Sequence, residues 1–214
     1  MRTIIIFYII LLIPCHMLAQ TAVLSPVGEY YLRGVMETAS GFRFDKDGSF
    51  QFFFSYGALD RFGRGKWTAS GNHVKLTSEK VRPQDFAMVQ SKKIAGNSIT
   101  VHIVDSNEML RRYLHCMISS GNQQQHGECD SQGNIVFEQQ RVDTINLLFE
   151  FCAEKQSVFT VPSNGHNYFE FRVEPWIMEV YFENFDLEFS EEGLKGSHPL
   201  LVEGKTYFYE KAGH

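Results

Sequence analysis

Hydrophobic and polar residues alternate along most of the chain from residue 28 onward. Residues 41–54 alternate phenylalanine with polar residues on both sides of an Asp47-Gly48 turn, a pattern typical of a β-hairpin. The segment 65–77 repeats this pattern around a second glycine-containing turn. A two-residue period places every second side chain on the same face of a strand. Residues 28–77 are therefore predicted to form five short antiparallel strands.

The same alternation continues through the rest of the chain. It predicts strands in the segments 97–106, 110–120, 134–140, 144–153, 157–161, 168–174, 185–189 and 205–211. Trp176, Met178, Val180 and Phe182 also recur at every second position, which predicts a further strand. The polar segment 78–93 interrupts the rhythm and is predicted to be a linker or a loop. Because no long segment has the 3.6-residue period of a helix, the predicted fold class is all-β, with a barrel-like meander followed by a sandwich-like part.

The first residues have the pattern of a secretory signal peptide. Arg2 precedes an apolar run from Thr3 to Ile13, which is shorter than the ~20 residues of a membrane-spanning helix. Cleavage is predicted after Ala19. An alternative is lipidation of Cys15, although Pro14 is not the small residue that lipoprotein signals place before the cysteine. The protein is therefore predicted to be exported, to the periplasm, the cell surface or the extracellular space. Peripheral membrane association is expected only if Cys15 is lipidated.

Composition agrees with a folded protein and excludes some partners. The 214 residues include 19 Phe and only 6 Pro, so the chain can bury a substantial core. Its length is that of one large domain or two small ones. The formal net charge is −5 at pH 7, which gives no reason to expect a nucleic-acid partner.

Glycine and aromatic residues recur at fixed spacings in the first block of strands. The motifs are Gly28-x-Tyr30, Phe44-x-x-Asp47-Gly48-x-Phe50, Gly65-x-Trp67 and Gly71-Asn72-x-Val74-x-Leu76-Thr77. In order and spacing they resemble small exported bacterial lipocalin-like proteins, a resemblance that covers residues 28–77. It implies a ligand-binding or scaffold-like β-barrel. Such a barrel needs about eight strands, and this block supplies five. Either the barrel is abbreviated or later strands complete it.

Residues 98–138 contain the strand SITVHIVD and then a turn from Asp130 to Gly133 that leads into another strand. This arrangement is similar to transthyretin-like or carboxypeptidase-regulatory-like sandwich modules. The predicted organisation is then a signal peptide at 1–19, a lipocalin-like β-meander with linker at 20–93, and a β-sandwich-like domain at 94–214. A fold does not by itself determine a function, so the function depends on the residues of the candidate sites.

The connection between the third and fourth strands is the main candidate for ligand recognition. The candidate ligand-binding residues are Tyr56, Asp60, Arg61, Phe62, Arg64 and Trp67. Aromatic rings beside aspartate and arginine suit a sugar or a small anionic ligand, because the rings stack and arginine donates forked hydrogen bonds. The alternative is structural: Asp60 caps the turn, Arg61 pairs with it or covers Phe62, and Trp67 belongs to the core.

Cysteine and histidine residues are close together in the middle of the chain. The spacing of His115, Cys116, His126 and Cys129 matches no zinc pattern, and neighbours on a strand point to opposite faces, so no metal site is predicted. Export permits oxidation, and a hairpin would bring Cys116 and Cys129 nearly opposite each other, so a disulfide between them is predicted. Cys152 lies in an apolar strand and is expected to be a buried thiol rather than a nucleophile.

The last third of the chain is rich in acidic residues. They are Glu170, Glu174, Glu179, Glu183, Asp186, Glu188, Glu191 and Glu192. Paired carboxylates can hydrolyse glycosides, but the alternation places most of these on the solvent side of strands. No catalytic residue and no cofactor are predicted. The sequence thus favours an exported, non-catalytic binding protein of the cell envelope for a small molecule, a glycan or a protein partner. The alternatives are a glycoside hydrolase-like enzyme and a purely structural envelope component.

Overall fold

A computed structural model describes residues 25–80, 82, 84–138, 141–162 and 165–213. The predicted signal peptide and Cys15 lie outside the described residues. Within the described residues the fold is all-β, as the alternation predicts, with a closed antiparallel barrel and two further sheets. No helix of the described chain has the length and apolar character needed to cross a membrane.

The strands are numbered in chain order. The first five are β1 (Gly28–Leu32), β2 (Thr38–Phe44), β3 (Ser49–Tyr56), β4 (Leu59–Ser70) and β5 (His73–Thr77). The middle of the chain forms β6 (Phe86–Lys92), β7 (Ile99–Val104), β8 (Leu114–Ser120), β9 (Gln123–Glu128), β10 (Asn134–Phe137), β11 (Thr144–Phe149), β12 (Gln156–Thr160), β13 (Tyr168–Val173) and β14 (Glu179–Val180). The last three are β15 (Phe185–Phe189), β16 (Gly193–Gly196) and β17 (Tyr207–Lys211). A single helical turn, α1 (Glu108–Arg111), precedes β8, and a 3-10 turn (Glu150–Cys152) follows β11.

Strands from both halves of the described chain close the barrel. Eight of them follow the order β4-β3-β2-β1-β17-β16-β15-β5, and β5 pairs back with β4. The later strands therefore complete the barrel that residues 28–77 begin, which settles the question that the sequence leaves open. The alternation did not predict β16, whose four residues include two glycines.

Aromatic side chains fill the barrel interior. Phe42 meets Phe52 at a ring-centroid distance of 5.0 Å and Tyr209 at 5.1 Å. Phe182 reaches in from the segment before β15 and contacts Phe50 at 5.1 Å and Phe52 at 5.3 Å. Offset and edge-to-face arrangements of this kind are the preferred contacts of buried rings. The interior is thus a packed core, which leaves the rims and the outer face of the barrel for ligand contacts.

The two further sheets form a sandwich that is inserted between β5 and β15. One has the order β10-β7-β13-β6 and the other β12-β11-β8-β9, and their inner faces share one hydrophobic core. Phe159 of β12 meets Phe171 of β13 across this core at 4.7 Å. The predicted turn before β10 is present, with Gly133 N donating to Asp130 O at 3.0 Å. We call residues 86–173 the inserted sandwich.

The segment 78–93 differs from its prediction as a linker or loop. Residues 86–92 form β6, which pairs with β13 at the edge of its sheet. Only Phe86 in this strand is fully buried, and Val89 is 50 % exposed. An edge strand with one buried side chain leaves almost no hydrophobic alternation in the sequence, which explains why the pattern did not reveal it.

The segment 176–182 also differs from its prediction as a strand. It begins with a turn, in which Glu179 N donates to Trp176 O at 2.8 Å, and only two residues form β14. Ile177 belongs to the core of the inserted sandwich, whereas Val180 and Phe182 belong to the barrel core. The apolar residues recur here because the chain passes from one core to the other, not because they share one sheet face.

His198 is a buried polar residue inside the barrel. Its Nδ1 accepts a hydrogen bond from Leu200 N at 3.0 Å, so the neutral ring carries its proton on Nε2, which donates to Ser40 Oγ at 3.0 Å. The ring stacks on Tyr209, at an interplanar angle of 11°. Burial lowers the pKa of His198 from 6.5 to about 4.

We expect this histidine to destabilise the fold as the pH falls. Between pH 6.5 and about pH 4 the unfolded chain binds a proton at His198 that the folded chain excludes, so stability declines with decreasing pH through this window. The shift corresponds to about 3 kcal/mol at pH 4. His198→Gln should remove most of that decline, as measured by denaturant unfolding from pH 7.5 to 4. A variant that loses stability as steeply as the wild type would contradict the assignment.

Candidate functional site

The stretch 52–67 folds into the end of β3, a two-residue turn and the first part of β4. Gly57 lies in the turn with φ 59°, a conformation that glycine adopts without a Cβ clash. Because side chains alternate along a strand, Arg61 lies on the same face as the buried phenylalanines of β3. Asp60 is exposed on the opposite face and accepts a hydrogen bond from Ser55 at 2.6 Å. The adjacent charges of the sequence are therefore on opposite faces of β4.

Arg61 connects the barrel to the segments around residues 151 and 178 through hydrogen bonds. The residue is 3 % exposed. Its Nε donates to Met178 O at 3.2 Å, its Nη1 to Phe151 O at 3.4 Å and its Nη2 to Glu154 Oε1 at 2.6 Å. A buried guanidinium needs such acceptors, because an unpaired buried charge costs several kcal/mol. Arg61 thus acts as a clamp between the barrel and the inserted sandwich.

A second charge pair lies at the same junction and is largely shielded from solvent. Lys155 Nζ is 2.9 Å from Asp85 Oδ2 and donates to the carbonyl oxygens of Ile177 at 2.7 Å and Glu179 at 3.2 Å. Burial raises the pKa of Asp85, and the hydrogen-bonded Lys155 ammonium opposes that shift. Arg61 and Lys155 together hold the segment that leads into β14 against the inserted sandwich.

An apolar cleft of about 600 Å³ opens between the β3–β4 turn and the inserted sandwich. Tyr56, Met109 and Phe151 on its walls are 52 %, 58 % and 37 % exposed. The lining residues are Tyr56, Gly57, Ala58, Leu59, Asn107, Met109, Leu110, Tyr113, Phe149, Phe151 and Met178. Large apolar side chains that line a concave, solvent-open surface are typical of small-molecule sites. We call this region the apolar cleft.

Polar contacts behind the walls fix the shape of the apolar cleft. The two carbonyl groups that Arg61 binds belong to Phe151 and Met178, both of which line the cleft. On another wall, Asn107 Oδ1 caps α1 by accepting the backbone N–H of Met109 at 3.1 Å. These contacts hold two walls of the apolar cleft in place, so the lining is preformed.

The other residues predicted to bind a ligand lie in separate places. Tyr56 lines the apolar cleft, but Phe62 and Arg64 lie on the outer face of β4. Phe62 is 44 % exposed. Trp67 packs partly buried against the barrel core, and its indole N–H donates to a carbonyl oxygen before the β2–β3 turn at 3.1 Å. The structure thus does not bring the six predicted residues together at one point.

The three described cysteines are free thiols, so the predicted Cys116–Cys129 disulfide is not formed in this structure. The β8–β9 register pairs Cys116 with Gly127, which places Cys129 two residues further along rather than opposite. Burial raises the pKa of Cys116 to about 12 and that of Cys129 to about 11, so both stay protonated and weakly nucleophilic at neutral pH. Cys152 is buried, and its Sγ donates to Ile177 O at 3.1 Å.

The acidic residues of the last third are spread over both parts of the fold. Glu174 follows β13 and accepts a hydrogen bond from Arg172 at 2.9 Å, and Glu179 lies 3.4 Å from Arg64 Nε. Asp186 in β15 contacts a histidine of β5 at 2.9 Å. Each of these carboxylates has a basic neighbour. Among the residues that the structure describes, no group of three His, Cys, Asp or Glu is placed to hold a metal ion.

Several residues of the apolar cleft were not singled out by the sequence as candidates for a binding site. They are Met109, Leu110, Tyr113, Phe149, Phe151 and Met178. Met109 and Phe151 lie in α1 and the 3-10 turn, which are too short to show a helical period. The one available signal was Tyr56, an aromatic residue beside a tight turn.

Comparison with known proteins identifies no relative. No protein-family model matches the chain, no curated protein is significantly similar to it, and no solved structure matches its fold.

Proposed function

We propose that this chain is an exported, non-catalytic binding protein that holds a small apolar ligand in the apolar cleft. The observation that carries the proposal is the cleft itself, a preformed concavity of about 600 Å³ with aromatic and aliphatic walls. Its volume lies within the range of about 300–1,000 Å³ that is usual for ligand pockets.

The chemistry of the lining determines the ligand class. The residues that line the apolar cleft carry no formal charge, and most are aromatic, leucine or methionine. A ligand with an aromatic ring or an alkyl chain would cover Tyr56, Met109 and Phe151, each of which is partly exposed. Burial of apolar surface contributes about 25 cal/mol per Å². Methionine adapts its side chain to irregular apolar shapes, which suits a ligand site.

The lipocalin-like resemblance and the export signal belong to the same proposal. A closed eight-stranded antiparallel barrel is compatible with a lipocalin-like fold, and the members of that family are mostly ligand-binding or scaffold-like. In this chain the packed interior moves the proposed ligand to the end of the barrel, where the inserted sandwich supplies the second wall. The cell envelope, or the space outside it, is the proposed location.

The proposal is tested with N-phenyl-1-naphthylamine, a neutral aromatic probe whose fluorescence rises in apolar sites. We expect saturable binding to the chain without its first 19 residues. Met109→Asp should weaken it at least about tenfold, because it places a carboxylate in the cleft that a neutral ligand would have to desolvate. Met109 is 58 % exposed, so the fold should tolerate the change.

Met36→Asp is the matched control, because Met36 is 89 % exposed and does not line the cleft. It should bind the probe with the affinity of the unsubstituted protein. Equal affinities of the Met109→Asp and Met36→Asp variants, or no saturable binding at all, would contradict the proposed function.

A further inference from the structure

The outer face of the barrel carries two parallel rows of side chains across β1, β2, β3 and β4. The strand registers place Tyr31, Gly41, Phe53 and Phe62 directly side by side in one row. Two residues further along the strands, the same registers align Glu29, Arg43, Gln51 and Arg64 in a second row. An aromatic row thus runs beside a hydrogen-bonding row, roughly 7 Å away, since a strand rises about 3.4 Å per residue.

Gly41 leaves room for the Phe53 ring in the aromatic row. A Cβ at this position would lie 2.9 Å from Phe53 Cε1, so the Phe53 ring lies across the β2 backbone where a side chain would otherwise stand. Part of the ring thus lies against the glycine, and the residue remains 38 % exposed. Tyr31 stands edge-on to this ring with centroids 6.2 Å apart, and it is 39 % exposed. Phe62 follows on β4 at 44 % exposure.

The face is concave beside these rings. A hollow of about 320 Å³ is bounded by Tyr31, Phe53 and Phe62 together with polar residues of the second row. A neighbouring hollow of about 450 Å³ shares Phe62 with the first and is also lined by Arg64 and Glu79. Both hollows include Gln51. Across four strands spaced by about 4.8 Å the rows extend roughly 14 Å, the length of a short oligosaccharide.

Each arginine of the second row has an acidic partner. Arg43 is paired with Asp45 at 3.0 Å, and Arg64 lies 3.4 Å from Glu179. Glu29 accepts a hydrogen bond from the Tyr31 hydroxyl at 2.8 Å. A guanidinium has five N–H donors, so these arginines retain donors for a ligand. With Asp45 and Glu179 included, these groups carry a net charge of only about −1. The row therefore offers donors and acceptors without a strong charge of one sign that would select an ion.

We propose that this outer face is a second binding site, for a neutral linear saccharide. Pyranose rings have flat C–H faces that stack on aromatic side chains, and their hydroxyl groups both donate and accept hydrogen bonds. The exposed rings of the aromatic row provide surfaces for stacking, and Gln51, Arg43 and Arg64 provide the hydrogen bonds beside them. The site shares no residue with the apolar cleft, so it does not depend on the function proposed above.

The test is calorimetric titration with cellohexaose, whose β-linked glucose rings have flat apolar faces. Saturable binding to the wild type is expected. Phe62→Ala should weaken it at least about tenfold and Gln51→Ala at least about threefold, whereas Phe62→Tyr should keep it within about twofold. Val136→Ala is the control for loss of an exposed apolar side chain, since Val136 is 62 % exposed on β10 of the inserted sandwich. It should leave the affinity unchanged.

Three results would overturn the saccharide site. They are no saturable binding of cellohexaose at millimolar concentration, equal affinities of Phe62→Ala and Val136→Ala, and a preference for hexagalacturonate, an acidic saccharide, over cellohexaose. If Phe62→Ala folds poorly, Gln51→Ala still tests the site, because it replaces an exposed polar residue and should not disturb the fold. Phe62→Ala should still bind N-phenyl-1-naphthylamine and Met109→Asp should still bind cellohexaose, so failures of the two sites are distinguishable.

Discussion

Replacing Arg61 with methionine is expected to destabilise the protein by about 3 kcal/mol or more. The reason is that removing a buried cation leaves its hydrogen-bond acceptors without a partner. The substitution keeps most of the side-chain volume but removes the donors to the carbonyl oxygens of Met178 and Phe151. Both carbonyls are left in a largely buried junction without their charged donor. Chemical denaturation followed by circular dichroism and tryptophan fluorescence measures the loss.

Arg33→Met is the matched control for this prediction. Arg33 pairs with Glu210, but its side chain is 63 % exposed, so we expect the control to cost less than about 1 kcal/mol. Arg61→Met should also weaken binding in the apolar cleft, because Phe151 and Met178 form part of its wall. An Arg61→Met protein as stable as the Arg33→Met protein would show that the clamp does not hold the two parts together.

Gly65→Ala is expected to cost at least about 3 kcal/mol or to prevent folding, because its methyl group would collide with backbone rather than with a movable side chain. The added Cβ would lie 2.1 Å from Thr77 O and 2.7 Å from Ser78 Cα. Gly65 occurs where β4 passes from its pairing with β3 to its pairing with β5. The clash would therefore push β5 away from β4, and these are the two strands whose pairing closes the barrel.

Two single substitutions separate this clash from other effects of removing a glycine. Gly57→Ala has open space around its Cβ but a φ of 59°, so it should cost only about 1 kcal/mol of backbone strain. Lys66→Ala changes the exposed neighbour of Gly65 and should have almost no effect on stability. Thermal unfolding of the three variants checks the order, and a Gly65→Ala protein no less stable than Gly57→Ala would refute the steric argument.

Local alternation predicted the strands well because most of them have one face against a core. Phe42 and Phe44 in β2, and Phe50 and Phe52 in β3, are each at most 2 % exposed. These residues recur at every second position because one face of each strand is buried. The same rule failed for β6, where one buried phenylalanine is too few to make a pattern.

Closure of the barrel could not be predicted in the same way. The pairing of β1 with β17 joins Tyr30 to Lys211, and the whole inserted sandwich lies between them in the chain. Alternation reports that a residue is buried but not which distant strand covers it. The sequence therefore predicted the five strands of residues 28–77. It did not show that β15, β16 and β17 pair with them to close the barrel.

The candidate site shows the same limit. The structure places Arg61 on the same buried face of β4 as Gly63 and Gly65, whereas the sequence placed it in the connection between two strands. Its charge suggested a ligand instead, because its acceptors at Phe151 and Glu154 lie about 90 residues later in the chain. The apolar cleft is lined in part by the same distant segments, so the sequence did not predict it either.

The most direct test of ligand binding in the apolar cleft is a titration followed by methyl NMR of the protein labelled with ¹³C-methyl methionine. Met109 and Met178 line the cleft, whereas Met36 and Met88 do not. We predict that N-phenyl-1-naphthylamine shifts the methyl resonances of Met109 and Met178 with one common saturation curve and leaves those of Met36 and Met88 in place. Saturable binding of the probe with unchanged Met109 and Met178 resonances would contradict the account.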